Sequence, residues 1–262
     1  MKRAPIGLFD SGLGGLSVAR EAQRLLPAER LLYVGDTAHC PYGGRPAAEI
    51  LARSLAISRY LVSRGAKLVV VACNAASGAS LEQLRVKLTV PVVGMEPAVK
   101  PAAAATRNGR VGVMATEATI GSDRFARLMR EYAAGVQVVS QPCPGLVELV
   151  EAGEVGGEGT DVWLRETLEP LKRAGVDTVV LGCTHYPFLL GAIGRVMGEG
   201  VVLIETGGAV ARQTRAILLQ RGDLAEAGEG GIEVLVTGDP ERAARAVREL
   251  LGERVEVGKV AV

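Results

Sequence analysis

Lys67 to Asn74 (KLVVVACN) and Asp177 to Thr184 (DTVVLGCT) decide the fold of this chain. Each is a β-branched apolar run that ends in a small residue, a cysteine and a hydrogen-bonding side chain. Such runs form strands buried on both faces, and the small and turn-forming residues after them lead into helical patterns. Strands alternating with helices in this way build a parallel sheet. In open parallel sheets the strand C-termini face the ligand crevice, so Cys73 and Cys183 are expected beside a bound molecule rather than in a core.

The likeness extends upstream. Ile6 to Ser11 (IGLFDS) and Val111 to Thr116 (VGVMAT) are matching strand-to-loop units, with Asp10 and Thr116 at similar distances before Cys73 and Cys183. The pattern is an internal duplication. It predicts two pseudo-symmetric open-sheet α/β domains with mostly parallel strands and an active site in the cleft between them. The chain is expected to cross over near Pro97, making residues 98–209 the second domain. Residues 1–97 plus 210–262 then form a discontinuous first domain, in which Ile232 to Val236 is a strand with no counterpart in the second half. Helices are expected over Leu16–Leu26, Ala47–Arg64, Leu81–Leu88, Asp161–Ala174, Ala209–Arg221 and Glu241–Leu251, with an alanine-rich stretch at Ala98–Ala105.

Composition narrows the ligand. The 262 residues carry 30 basic and 29 acidic side chains, a net charge of +1, so nothing marks a nucleic-acid groove or an anionic membrane surface. No apolar run approaches the roughly 18 residues of a membrane span, and Met1 to Pro5 runs straight into a strand without a leader pattern. A cytoplasmic protein with a small-molecule substrate is expected. Four cysteines (Cys40, Cys73, Cys143, Cys183) need no disulfides in a reducing cytosol. No pair has zinc-site spacing and the histidines are His39 and His185, so no metal is expected; Cys40, His39 and His185 would meet only through the fold.

Around the strand ends lie the residue types that chemistry needs. Asp10-Ser11-Gly12-Leu13-Gly14-Gly15 precedes a helix, as in a phosphate loop, but Ser17 stands where the dinucleotide fingerprint requires Gly or Ala. The turn either receives a small anion such as a carboxylate, or Asp10 or Ser11 simply caps the helix. Tyr42, held between Pro41 and Gly43 in a long loop, either faces the crevice or plugs the loop onto the core. Thr116 and Thr119 either hold a polar ligand or cap the next helix. A lone strand-end cysteine is more often a small hydrophobe; the duplicated pair, each beside a helix start that favours thiolate, points to reactive thiols. Cys40 and Cys143 lack this context and are assigned to structure. Two opposed thiols suit one reaction in particular, in which one removes a proton from a tetrahedral carbon while the other delivers one from the opposite face.

Five motifs in order, DSGLGGLSV (10–18), GDTAHCPYG (35–43), VACNAAS (71–77), CPGLVELVEAG (143–153) and LGCTHYP (181–187), resemble those of the glutamate racemases of the cofactor-independent aspartate/glutamate racemase superfamily. The resemblance covers nearly the whole chain. It implies interconversion of L- and D-glutamate without cofactor or metal, in a homodimer that supplies D-glutamate for peptidoglycan. It also implies that Cys73 deprotonates D-glutamate and Cys183 L-glutamate, with Asp10, Glu151 and His185 assisting. Substrate contacts are expected from Asp10, Ser11, Pro41, Tyr42, Gly43, Asn74, Ala75, Thr116, Thr119, Thr184 and His185. Three positions depart from the family pattern: Ala75 replaces a usual threonine, Glu205-Thr206 a usual Asp-Ser, and His39 a usual arginine. Aspartate racemase is the nearest alternative activity. A non-enzymatic amino-acid binder would have no use for two opposed thiols.

Overall fold

Leu68–Val71 has no polar side to offer solvent, and all four of its residues are buried inside a sheet. The computed structural model describes residues 2–262. Its first half runs β1 (Ile6–Asp10), α1 (Leu16–Leu25), β2 (Arg30–Gly35), α2 (Ala47–Ser63), β3 (Leu68–Val71), α3 (Asn74–Lys87), β4 (Val92–Val93) and α4 (Val99–Ala105). There follow β5 (Arg110–Ala115), α5 (Glu117–Ile120), α6 (Asp123–Tyr132), β6 (Gln137–Pro142), α7 (Leu146–Glu151), α8 (Glu158–Arg173), β7 (Thr178–Leu181), α9 (Leu190–Met197) and β8 (Val202–Ile204). The chain ends with α10 (Gly207–Gln220), β9 (Gly231–Val236), α11 (Pro240–Leu251) and β10 (Val257–Lys259).

Two sheets result, with strand orders β10-β9-β2-β1-β3-β4 and β6-β5-β7-β8. Every pairing is parallel. The order β2-β1-β3-β4 is repeated as β6-β5-β7-β8, and β9 and β10 extend only the first sheet, as the unmatched strand at Ile232–Val236 requires. In each sheet the chain leaves the central strand toward one side and returns to the other, which makes a topological switch point where ligands bind.

Register refines the duplication. Phe9 pairs with Val71 and Met114 with Leu181. Ala72 N–H donates to Phe9 O, and Gly182 N–H donates to Met114 O. Two residues beyond those pairs, Ser11 is level with Cys73 and Thr116 with Cys183. The counterpart of Thr116 is therefore Ser11, as the match of IGLFDS with VGVMAT aligns them.

Three helices differ from expectation. α3 starts at Asn74 rather than Leu81, and its first turn, Asn74 to Ser77, is wholly buried. Small residues buried all round leave no polar stripe to reveal a helix. α4 occupies the alanine-rich stretch with Pro101 in its first turn, a tolerated position. α8 begins at Glu158, earlier than Asp161.

α10 lies against α1, with Val210, Ala211 and Leu218 sharing a core with Val18, Ala19 and Ala22. The polar linker after it is pinned from inside. Lys67 Nζ, buried at the start of the β3 segment, meets Glu29 at 2.7 Å. It also donates to Lys2 O at 2.8 Å and Asp223 O at 2.9 Å. A buried ammonium with a carboxylate and two carbonyls is satisfied rather than stranded.

Candidate active site

The C-terminal ends of β1, β3, β5 and β7 turn toward one enclosed cavity. Every residue predicted to act on or bind substrate lines it except Asp10 and Glu151, and Val147 of α7 joins them. The cavity leaves about 10 Å³ for the centre of a water, the space of roughly one molecule. The cleft is closed in this state.

Cys73 is the N-cap of α3 and Cys183 follows β7, so one thiol enters from each sheet. Cys73 Sγ lies 3.8 Å from Ser11 Oγ. Burial, and after it the charge of Asp10, hold the Cys73 thiol well above its ordinary pKa. Hydrogen bonds from the backbone N–H groups of Ala76 and Ser11 pull downward, as a helix start should, but they are outweighed. The thiolate expected from the helix start alone is thus corrected to a resting thiol.

Asp10 sits behind the lining and binds it together. Its Oδ2 accepts from Gly15 N–H at 2.7 Å and from Thr184 Oγ1 at 3.3 Å, and its Oδ1 from Ser11 Oγ at 3.3 Å. It therefore caps the entry of α1 and also reaches across to the second sheet's loop. Of the two readings left open for this turn, capping by Asp10 is the one seen.

Beside the other thiol, His185 Nδ1 is 3.6 Å from Cys183 Sγ and Nε2 is 2.6 Å from Glu151 Oε1. Burial opposes a charged imidazole, yet hydrogen bonds with Cys183, Cys40 and Glu151 raise the His185 pKa well above its usual value. Glu151 Oε1 also accepts from Leu13 N–H at 2.5 Å, which ties α7 to the glycine turn. That turn has no room for side chains: a Cβ at Gly12 would lie 2.1 Å from Glu151 Oε1, and one at Gly14 would lie 2.2 Å from His185 Nδ1. The glycines let the two halves approach.

Tyr42 is buried and its ring lines the cavity, but its hydroxyl donates to Asp36 at 2.6 Å. Asp36 also takes Arg53 on both oxygens and Thr237. Burial works against its ionisation, and these donors more than offset it, so its pKa is lowered. Tyr42 is thus both plug and wall, its hydroxyl spent on anchoring the loop. His39 joins the same carboxylate at 3.0 Å and stands away from the cavity. Thr116 Oγ1 caps α5 by accepting from Thr119 N–H and also faces the cavity. Ala75 lines the cavity as a methyl group within the first turn of α3.

Asn74 is the most informative lining residue. Its side chain is buried, and neither its Oδ1 nor its Nδ2 has a hydrogen-bond partner among the described residues. A buried primary amide left unpaired is costly.

Cys40, assigned to structure from sequence, packs against the core and also lies with Glu151 and His185, their ligand atoms all within 4.8 Å of one another. His39, which the sequence grouped with it, goes to Asp36 instead. Cys143 is buried in the core, where burial pushes its thiol up to about 12. Sequence reasoning also missed Val147 and the Asp36 anchor, neither of which lies near Cys73 or Cys183 in the chain.

Parallel strands of two like sheets, each delivering a cysteine to one small cavity, are the framework of a racemase-class isomerase. The chain belongs to the Asp/Glu/Hydantoin racemase family, whose model matches residues 14–214. It is 52% identical over 253 residues to a glutamate racemase of Herpetosiphon aurantiacus, covering 96% of this chain and 99% of that one. The structure of glutamate racemase isoform RacE1 from Bacillus anthracis superposes with a TM-score of 0.92 at 33% identity, over 100% of this chain and 99% of that one. Escherichia coli glutamate racemase, solved with L-glutamate and the activator UDP-MurNAc-ala, gives 0.88 at 36% identity over 98% of both chains.

Proposed function

We propose that this protein interconverts L- and D-glutamate by proton transfer between two opposed thiols. The observation that carries the reading is that Cys73 and Cys183 line one cavity from equivalent strand ends of two duplicated sheets. In the L to D direction, Cys183 accepts the α-proton and Cys73, at rest a thiol, delivers its own to the opposite face. The reverse reaction exchanges the roles. Fixed donors around the substrate, including the unpaired Asn74 amide and the Ser11 and Thr184 hydroxyls, would stabilise charge that develops as the α-proton leaves. Asp10 and His185 act on the thiols as base-tuning groups, and Glu151 orients His185.

Glutamate is favoured over aspartate by the relatives that align over nearly the entire chain. The family resemblance further supports a cytoplasmic homodimer making D-glutamate for peptidoglycan. The deciding experiment follows optical rotation or circular dichroism of L-glutamate and, separately, L-aspartate with the purified protein. Loss of signal with glutamate at least a hundredfold faster than with aspartate is expected. Turnover of aspartate alone would overturn the substrate assignment, and turnover of neither would overturn the activity.

A further inference from the structure

Cys40, Glu151 and His185 supply a thiol, a carboxylate and an imidazole whose ligand atoms all lie within 4.8 Å of one another. That donor set belongs to zinc-type divalent cations, for which Zn–S is about 2.3 Å and Zn–N and Zn–O about 2.0–2.2 Å. Tetrahedral coordination at those lengths spaces donors by about 3.5 Å, so shifts of about 1 Å suffice. Glu151 is already oriented, since Leu13 N–H donates to its Oε1, leaving Oε2 for a cation. Second-shell bonds of this kind fix ligand carboxylates.

Cys40 and Glu151 are reached by a route outside the substrate cavity, which His185 lines from the other side. A separate cavity of about 270 Å³ is lined by Cys40 and Glu151 from one side and by Glu148, Asp239 and Arg242 from the others. Three carboxylates against one guanidinium give it a field that attracts cations. Cys40 follows β2 of the six-stranded sheet, whereas Glu151 and His185 belong to α7 and the segment after β7 of the other half.

We propose that Cys40, Glu151 and His185 form an inhibitory Zn²⁺ site that staples the two halves across the closed cleft. Binding replaces the Cys40 thiol proton and the His185 Nε2 proton, both of which leave to solvent, with Zn–S and Zn–N bonds, and takes the His185 nitrogen away from Glu151. The cation holds the cleft shut and engages the His185 ring, whose other nitrogen faces Cys183.

The test is metal binding by the full chain, read without activity. A Cys73→Ser/Cys183→Ser protein, which lacks the two thiols of the substrate cavity, should bind one Co²⁺ with a thiolate-to-cobalt charge-transfer band. It should also take Zn²⁺ from a chromophoric chelator with one-to-one stoichiometry. Adding Cys40→Ser should abolish the band and weaken Zn²⁺ binding at least tenfold. Glu151→Gln, which leaves every thiol in place, should weaken it at least tenfold as well. Failure of the double-cysteine protein to bind, affinity within twofold after Cys40→Ser, or an unchanged affinity in Glu151→Gln would each overturn the site. The inhibition arm rests on the proposed racemase activity. Zn²⁺ should suppress wild-type turnover reversibly on chelation, while Cys40→Ser retains its turnover at the same free Zn²⁺. Equal inhibition of both proteins would overturn the staple. Absence of any turnover without metal would count against the racemase assignment alone, since the binding arm stands apart from it.

Discussion

His185 Nε2 stands 2.6 Å from Glu151 Oε1, so a side chain of α7 holds the imidazole that faces Cys183. The burial of His185 disfavours its charge, but hydrogen bonds with Cys183, Cys40 and Glu151 raise its pKa well above the usual value. A histidine raised in this way contributes stability that is fully present below the unfolded value of about 6.5. The contribution is lost as pH climbs through the raised folded value. Glu151→Gln should therefore destabilise by about 3 kcal/mol at pH 6, with the penalty shrinking on the alkaline side. Urea unfolding of both proteins across the pH range measures it, and a pH-independent difference would mean that His185 is neutral.

Opposed thiols make a prediction about hydrogen itself. In heavy water, newly formed D-glutamate should carry deuterium at its α-carbon from the first turnover, while unreacted L-glutamate stays protiated at early times. Cys73→Ala and Cys183→Ala should each lower racemisation by at least about a hundredfold with the fold retained by circular dichroism. Original hydrogen in the initial product, read by mass spectrometry, would point to one swinging base instead.

Asp10 raises the pKa of Cys73 through its charge, second only to burial. Asp10→Asn removes that charge and should move the Cys73 titration downward, toward the reference thiol value of about 8.5. Thiolate absorbance titrations, differenced against the Cys73→Ala protein in each background, isolate this one group. An unmoved titration would assign the whole shift to burial.

Gly14 packs its α-carbon against the His185 ring, where a Cβ would lie 2.2 Å from Nδ1. Gly14→Ala should displace the ring, lower turnover at least tenfold and destabilise by about 1–3 kcal/mol. Gly44→Ala is the control, because a Cβ there meets nothing within 4 Å. Equal effects in the two variants would show that the loss is not specific to His185.

By itself the sequence determined the strands, their parallel arrangement and the two thiols at their ends. Those features are written in short contiguous runs such as Leu68–Val71 and Thr178–Leu181, where side-chain type and backbone preference agree. Repetition of the unit also told the sheets apart, and the unmatched strand after residue 231 was readable for the same reason. Only the tertiary structure decided that α3 begins at Asn74 and that Cys40 belongs beside His185. It alone leaves the Asn74 amide unpaired and spends the Tyr42 hydroxyl on Asp36. The physical reason is range. A strand is specified by neighbours in the chain, whereas a thiol's proton, an imidazole's charge and an amide's missing partner are set by groups that the fold brings from far away, as Glu151 is brought to Leu13 across 138 positions.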